Sequence, residues 1–180
     1  MARLKRAKRL TMTLTELNNL SPEAAEHFFA QTCAAQRWVT KMQAQRPYAN
    51  VPNVLQQAKT LWQDMEQDDF LQAFDAHPMI GDMSSLREKY ASTKAMASHE
   101  QDGASQADEA TLQALQKLNL AYKEKHGFIF IICASGLSAK TMLEEIEKRI
   151  DNTTATEIDI ASKEQIKITM LRILKGLSDE

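Results

Sequence analysis

An all-α fold is what this sequence predicts, and three observations predict it. Five glycines and four prolines in 180 residues leave long unbroken segments between them. Within those segments apolar residues recur every three or four positions, the period of an α-helix. The one β-branched and aromatic run, "FIFIICA" (residues 128–134), is short and stands by itself; it reads as a buried strand or an extended core segment, with no real sheet built from it. A hydrophobic content of 43% supports one core, and the length is short for two. The expected architecture is a compact single-domain helical bundle with a polar loop region that carries part of a site.

The chain begins with a basic stretch, "MARLKRAKRL", followed by "TMTLTELNNL" and no apolar run. Residues 1–11 read as a disordered extension and residues 12–180 as the domain. In "SPEAAEHFFAQTCAAQRWV" (21–39), Ser21 is an N-cap, Pro22 the first helical residue and Glu23 a first-turn acid. One helix is expected there, with Ala25, Phe28, Phe29, Cys33 and Trp38 near one face, ending before the two prolines of "QRPYANVPN" (45–53). From Val54 to Ala76 the apolar spacing of Leu55, Ala58, Leu61, Trp62 and Met65 predicts two helices joined near Glu66 to Asp69. Residues 82–107 are polar and predict a loop or short helices.

The strongest helix is "ADEATLQALQKLNLAYKEKHG" (107–127), with Leu112, Leu115, Leu118, Leu120 and Tyr122 as its apolar side and Gly127 as its stop. Two more follow the "FIFIICA" run. One is "SAKTMLEEIEKRI" with Ser138 as cap; the other is "SKEQIKITMLRILKGL" with Ser162 as cap and Gln165 completing a capping box.

A net charge of −2 and a pI near 6.1 give no electrostatic reason for a nucleic-acid or membrane-surface partner. No apolar run approaches the roughly 20 residues of a membrane span. Cys33 and Cys133 make no close pair and join no Cys/His grouping at ligand spacing, so neither a disulfide framework nor a metal site is expected. A cytoplasmic setting fits this cysteine usage.

Four places could carry chemistry. His77 precedes Pro78, so it must leave the α region and stop the preceding helix. It is either a polar helix stop or a proton donor favoured by the helix C-terminal dipole. In "SHEQDGA" (98–104), Ser98 and Gln101 have capping-box spacing and Glu100 would be a first-turn carboxylate. His27, His99 and His126 show no pairing that suggests a metal and read as surface or satisfied polar residues. Arg172 is the only charge between Ile168 and Leu174, on a helix apolar around most of its circumference. A guanidinium buried there needs an anionic partner, a protein carboxylate or an anionic ligand. Arg149 is the other candidate for a ligand's charge.

Taken in order, "ELN" (16–18), "RPY" (46–48), "LQAFDAHPMIG" (71–81), "SHEQDGA" (98–104), "LQKLNLAYKEKHGFIFIICASG" (115–136), "EKRI" (147–150) and "LRIL" (171–174) resemble the OHCU decarboxylase family. Those enzymes act on 2-oxo-4-hydroxy-4-carboxy-5-ureidoimidazoline in urate breakdown. The resemblance covers roughly residues 12 to 175. It implies a compact all-helical fold, a homodimer, an anionic small-molecule substrate and no metal or organic cofactor. It also implies loss of carbon dioxide and protonation to give (S)-allantoin. His77 would be the catalytic acid, and Glu100 would orient the histidine or the substrate hydroxyl. Pro78, Ser98, Gln101, Ile131, Ile132, Cys133 and Ala134 would line the pocket, and Arg172 would grip the substrate. The chain departs from the family where an arginine and glycine often follow the "FIFII" run, having Ala134, Ser135 and Gly136 instead. It departs again where Ala104, Ser105 and Gln106 replace Ala-Gly-Leu. A non-catalytic helical binding module on the same fold is the alternative.

Overall fold

The computed structural model describes residues 11–78 and 104–178. Its elements are α1 (Leu14–Asn18), α2 (Pro22–Thr32), α3 (Gln36–Ala44), α4 (Val51–Gln63), α5 (Gln67–Asp75), α6 (Ala104–His126), α7 (Ala139–Arg149) and α8 (Thr154–Gly176). Among the described residues there is no strand; Met12 and Leu177 make one isolated bridge. The all-α expectation therefore holds, and residues 128–134 build no sheet. The chain divides into two compact units, one of residues up to 72 with those from 166 on, the other of residues 73 to 165.

In the first unit the caps follow the local sequence. Thr13 and Glu16 form a capping box on α1, Ser21 Oγ accepts from Ala24 N–H on α2, and Asn50 Oδ1 accepts from Asn53 N–H on α4. Pro52 lies inside the first turn of α4 and not in a loop as expected, because a proline there gives up only an N–H that the helix leaves unpaired anyway. The single helix expected over 21–39 is two: α2 ends at Cys33, which is extended (φ −153), and α3 begins at Gln36. The reason is tertiary. Phe29 and Trp38 would sit on opposite faces of one straight helix, about 13 Å apart along it. The break instead sets their rings 6.0 Å apart, edge to face, and lets Trp38 Nε1 donate to Ala58 O. At the C-terminal end of α8, Gly176 lies where a Cβ would come within 2.9 Å of the Phe28 ring.

In the second unit α6 ends as expected at Gly127, whose φ of +79 favours glycine. The helix begins at Ala104, so the last residues of the expected polar loop are helical. Its buried stripe is Leu112, Leu115, Asn119, Tyr122 and His126. Leu118 is half-buried and Leu120 is 49% exposed, which corrects the expected apolar side. Asn119 is tolerated inside because its Nδ2 donates to Leu115 O. α7, capped by Ser138 as expected, packs against α6.

α8 differs most from expectation. It begins at Thr154, with Thr153 Oγ1 accepting from Thr156 N–H. Ser162 is therefore interior, donating from Oγ to Asp159 O, and neither it nor Gln165 caps anything. A buried stripe steps by four through Glu157, Ala161, Gln165, Thr169 and Ile173 to Leu177 just past the helix, with Ser162 buried beside it. Ile166, Ile168, Met170 and Leu171 are only half-buried and Leu174 is 46% exposed, so of the apolar residues named from the sequence only Ile173 is fully buried, beside the polar Gln165 and Thr169.

Candidate functional site

His77 is where the His-Pro argument placed it. α5 ends at Asp75, His77 N–H donates to Phe74 O at 3.1 Å, and Pro78 follows on the surface. The imidazole is half-buried and its Nε2 lies 2.7 Å from Oε1 of Gln165, which is wholly buried in α8. The neighbouring Glu164 accepts from Cys133 N–H at 2.8 Å. One turn of α8 thus holds both the histidine and the backbone of the 128–134 segment.

That segment is shaped from three sides within the second unit. Gly127 turns the chain out of α6, the Phe128 ring lies 5.3 Å from that of Phe74, and Arg149 Nη1 donates to Ile131 O at 2.9 Å. Phe128, Phe130 and Ile131 point into the core. Ile132, Cys133 and Ala134 are half-buried and form the accessible part.

Arg149 answers the question raised by a buried guanidinium. It is 6% exposed, sits 4.4 Å from the Phe130 ring centroid, and pairs with the wholly buried Glu157 at 2.8 Å. Glu157 also accepts from Tyr122 Oη and from Asn152 Nδ2. Burial pushes the Glu157 carboxyl up, but donation from Arg149, Tyr122 and Asn152 outweighs it and holds the group below the ordinary carboxylate range. The Tyr122 phenol is pushed up by burial and by that carboxylate. His126 is buried, so of the two readings, surface or satisfied polar residue, the first does not apply: Nδ1 sits 3.1 Å from Thr154 Oγ1, Nε2 has no hydrogen-bond partner among the described residues, and burial lowers its pKa.

Arg172 belongs to the first unit and is half-buried rather than buried, with Nη1 donating to Thr32 O at 3.3 Å. Nearby Cys33 is a core residue whose thiol is pushed up to about 11, chiefly by burial, which rules it out as a nucleophile near neutral pH. A depression in that unit lined by Leu14, Asn18, Asn50 and Ser178 among others carries no titratable side chain. Ser98, Glu100 and Gln101 lie outside the described residues. Among the described residues no three His, Cys, Asp or Glu side chains are grouped to hold a metal, and no helix is long and apolar enough to cross a membrane.

Gln165, Glu164 and Glu157 were not legible as site residues. The signal for Gln165 is its place between Ala161 and Thr169 on the buried stripe, visible only once the helix is known to start at Thr154.

A sequence model of a family described as OHCU decarboxylase matches residues 18–174. The "Uric acid degradation bifunctional protein TTL" of Arabidopsis thaliana is 32% identical over 162 residues, covering 89% of this chain and 50% of that protein. The chain thus spans half the length of that relative. The "2-oxo-4-hydroxy-4-carboxy-5-ureidoimidazoline decarboxylase" of Haloferax volcanii is 27% identical over 94% of this chain and 98% of its own. Among solved structures, an OHCU decarboxylase crystallised in the presence of (S)-allantoin superposes with a TM-score of 0.67 at 32% identity, over 89% of this chain and all of that one. An (S)-allantoin synthase superposes at 0.68 over 93% of this chain and 54% of that one; at 17% identity it bears on the fold alone.

Proposed function

The chain belongs to the OHCU decarboxylase family, and on that premise we propose that it converts 2-oxo-4-hydroxy-4-carboxy-5-ureidoimidazoline to (S)-allantoin in the breakdown of urate. The observation that carries this is His77, set by the His-Pro stop of α5 and held at Nε2 by a buried side chain. Decarboxylation without a cofactor needs an electron sink in the substrate, and the conjugated imidazoline supplies one. The C4–carboxylate bond breaks and carbon dioxide leaves; the electron pair moves through the C4–C5 bond onto the ring nitrogen, C5 takes a proton, and the C4 hydroxyl proton passes to that nitrogen as C4 becomes the carbonyl of allantoin. The protein's work is then orientation, electrostatics and a placed proton.

His77 gives the proton that C5 takes. Glu100 orients the histidine or the substrate hydroxyl, and Pro78, Ser98, Gln101, Ile131, Ile132, Cys133 and Ala134 line the pocket. Arg172 holds the substrate's negative charge, as the family resemblance implies, while Arg149 is paired with Glu157. The protein works in the cytoplasm as a homodimer.

The test is to add the protein to freshly oxidised urate after the hydrolase step and follow the handedness of allantoin by circular dichroism. One-handed product forming quickly is expected, and loss of roughly 10²–10⁴-fold in rate for His77→Asn, the usual worth of a general acid. Product that forms at the uncatalysed rate and without handedness would leave a non-catalytic binding module.

A further inference from the structure

We propose that Gln165 is a positioning residue that locks the neutral imidazole of His77 as its Nε2–H tautomer, so that Nδ1 is the nitrogen that gives the proton to the substrate. The proposal rests on His77 being the proton donor, and the observation behind it is the 2.7 Å contact between His77 Nε2 and Gln165 Oε1.

A wholly buried primary amide in the middle of a helix is costly unless it is hydrogen-bonded, and the imidazole is one group that bonds this one. An amide oxygen only accepts. Nε2 must then carry a hydrogen in both the neutral and the protonated ring, and the proton that comes and goes is the one on Nδ1. An amide does this without adding charge. A carboxylate in its place would favour the imidazolium itself and make the proton harder to give up. Glu164, one residue earlier, holds Cys133 N–H at 2.8 Å, so the same turn of α8 registers the histidine against the segment proposed to wall the pocket.

The proton count closes. His77 begins with hydrogens on both nitrogens. As carbon dioxide departs, the pair moves into the ring, C5 takes the Nδ1 proton, the C4 hydroxyl proton passes to the ring nitrogen as C4 becomes a carbonyl, and His77 is left neutral with its Nε2–H still on Gln165. Solvent then restores the Nδ1 proton. The Nε2–H bond to Gln165 is unbroken throughout, so the donor needs no reorientation between turnovers.

Histidine labelled with ¹⁵N tests this in the intact protein. The chain has four histidines, and His77→Asn identifies the signal of the one concerned. At pH about 8.5, roughly two units above the ordinary imidazole value, long-range proton–nitrogen correlations distinguish the tautomers. The wild-type protein should show His77 as the Nε2–H form, and Gln165→Glu, which keeps an acceptor against Nε2, should retain it. Gln165→Leu should give a mixture of tautomers and lower kcat by about 10- to 100-fold, a share of what a general acid contributes, with KM little changed. An Nδ1–H form in the wild-type protein overturns the proposal, and so does a Gln165→Leu protein with unaltered tautomer and kcat. Should that variant fail to fold, the wild-type spectrum decides. Full turnover by His77→Asn would instead defeat the assignment of His77 as donor.

Discussion

Arg149 and Arg172 should respond to the same substitution in opposite ways. In Arg149→Met the Glu157 carboxylate loses Nε at 2.9 Å and Nη2 at 2.8 Å, the Ile131 carbonyl loses its Nη1 donor, and the Phe130 ring loses the guanidinium 4.4 Å away. Removing one member of a buried pair costs about 3–5 kcal/mol. Tyr122 and Asn152 still donate to Glu157, which moves the electrostatic part toward the lower end. The stranded Ile131 carbonyl adds about 1–3 kcal/mol, for a total of about 4–6 kcal/mol. At about 2–4 °C per kcal/mol for a chain of this size, the melting temperature should fall by about 8–24 °C. Arg172→Met removes a half-buried side chain whose Nη1 donates to Thr32 O at 3.3 Å and should lower the melting temperature less than Arg149→Met does, while binding of allantoin weakens. Calorimetry with and without allantoin measures both effects. Glu157→Gln combined with Arg149→Met should show a coupling of about 0.5–3 kcal/mol. If Arg149→Met melts within about 1 kcal/mol of the parent and selectively loses ligand, Arg149 is the anion holder and the structural pair is refuted.

His126 should make the fold sensitive to mild acid. Burial holds its folded pKa below the ordinary value near 6.5, so on acidification the unfolded chain binds the proton first. Stability should drop as pH falls through about 6.5 and level off below the folded value. Melting curves of His126→Gln against the parent check this, and parallel curves across that window would count against it. Turnover should survive exhaustive chelation; activity lost on chelation and restored by added metal would overturn the cofactor-free mechanism. Thr153→Ala should cost about 1 kcal/mol through loss of the α8 cap, while Ser162→Ala should leave the start of α8 in place, as judged by amide exchange at residues 154–157. Gly127→Ala should cost about 1–2 kcal/mol by denaturant unfolding, from backbone conformation alone, since nothing lies within 4 Å of the added Cβ.

The features legible in the sequence are those decided by a few neighbouring residues. Ser21 and Ser138 cap helices because a hydroxyl reaches an N–H three residues on. Gly127 ends α6 because only its backbone takes a φ of +79 without cost, and His77 leaves the helix because Pro78 forbids anything else. The helical class and the His-Pro stop were therefore determined by the sequence alone. The family likeness was visible there too, because it rests on the order of short motifs. Partners distant in the chain were not so determined. Nothing local in Cys33 to Ala35 breaks a helix; the packing of Trp38 against Phe29 and the Ala58 carbonyl does. Ser162 and Gln165 have capping-box spacing, yet a helix that begins eight residues earlier puts one mid-helix and the other 2.7 Å from His77, 88 residues away in the chain. Rarity of charge on an apolar helix pointed to Arg172 as the buried guanidinium, whereas the structure buries Arg149 against Glu157. Burial and pairing depend on which side chains meet after the chain has folded, and the spacing of residues along one helix does not contain that information.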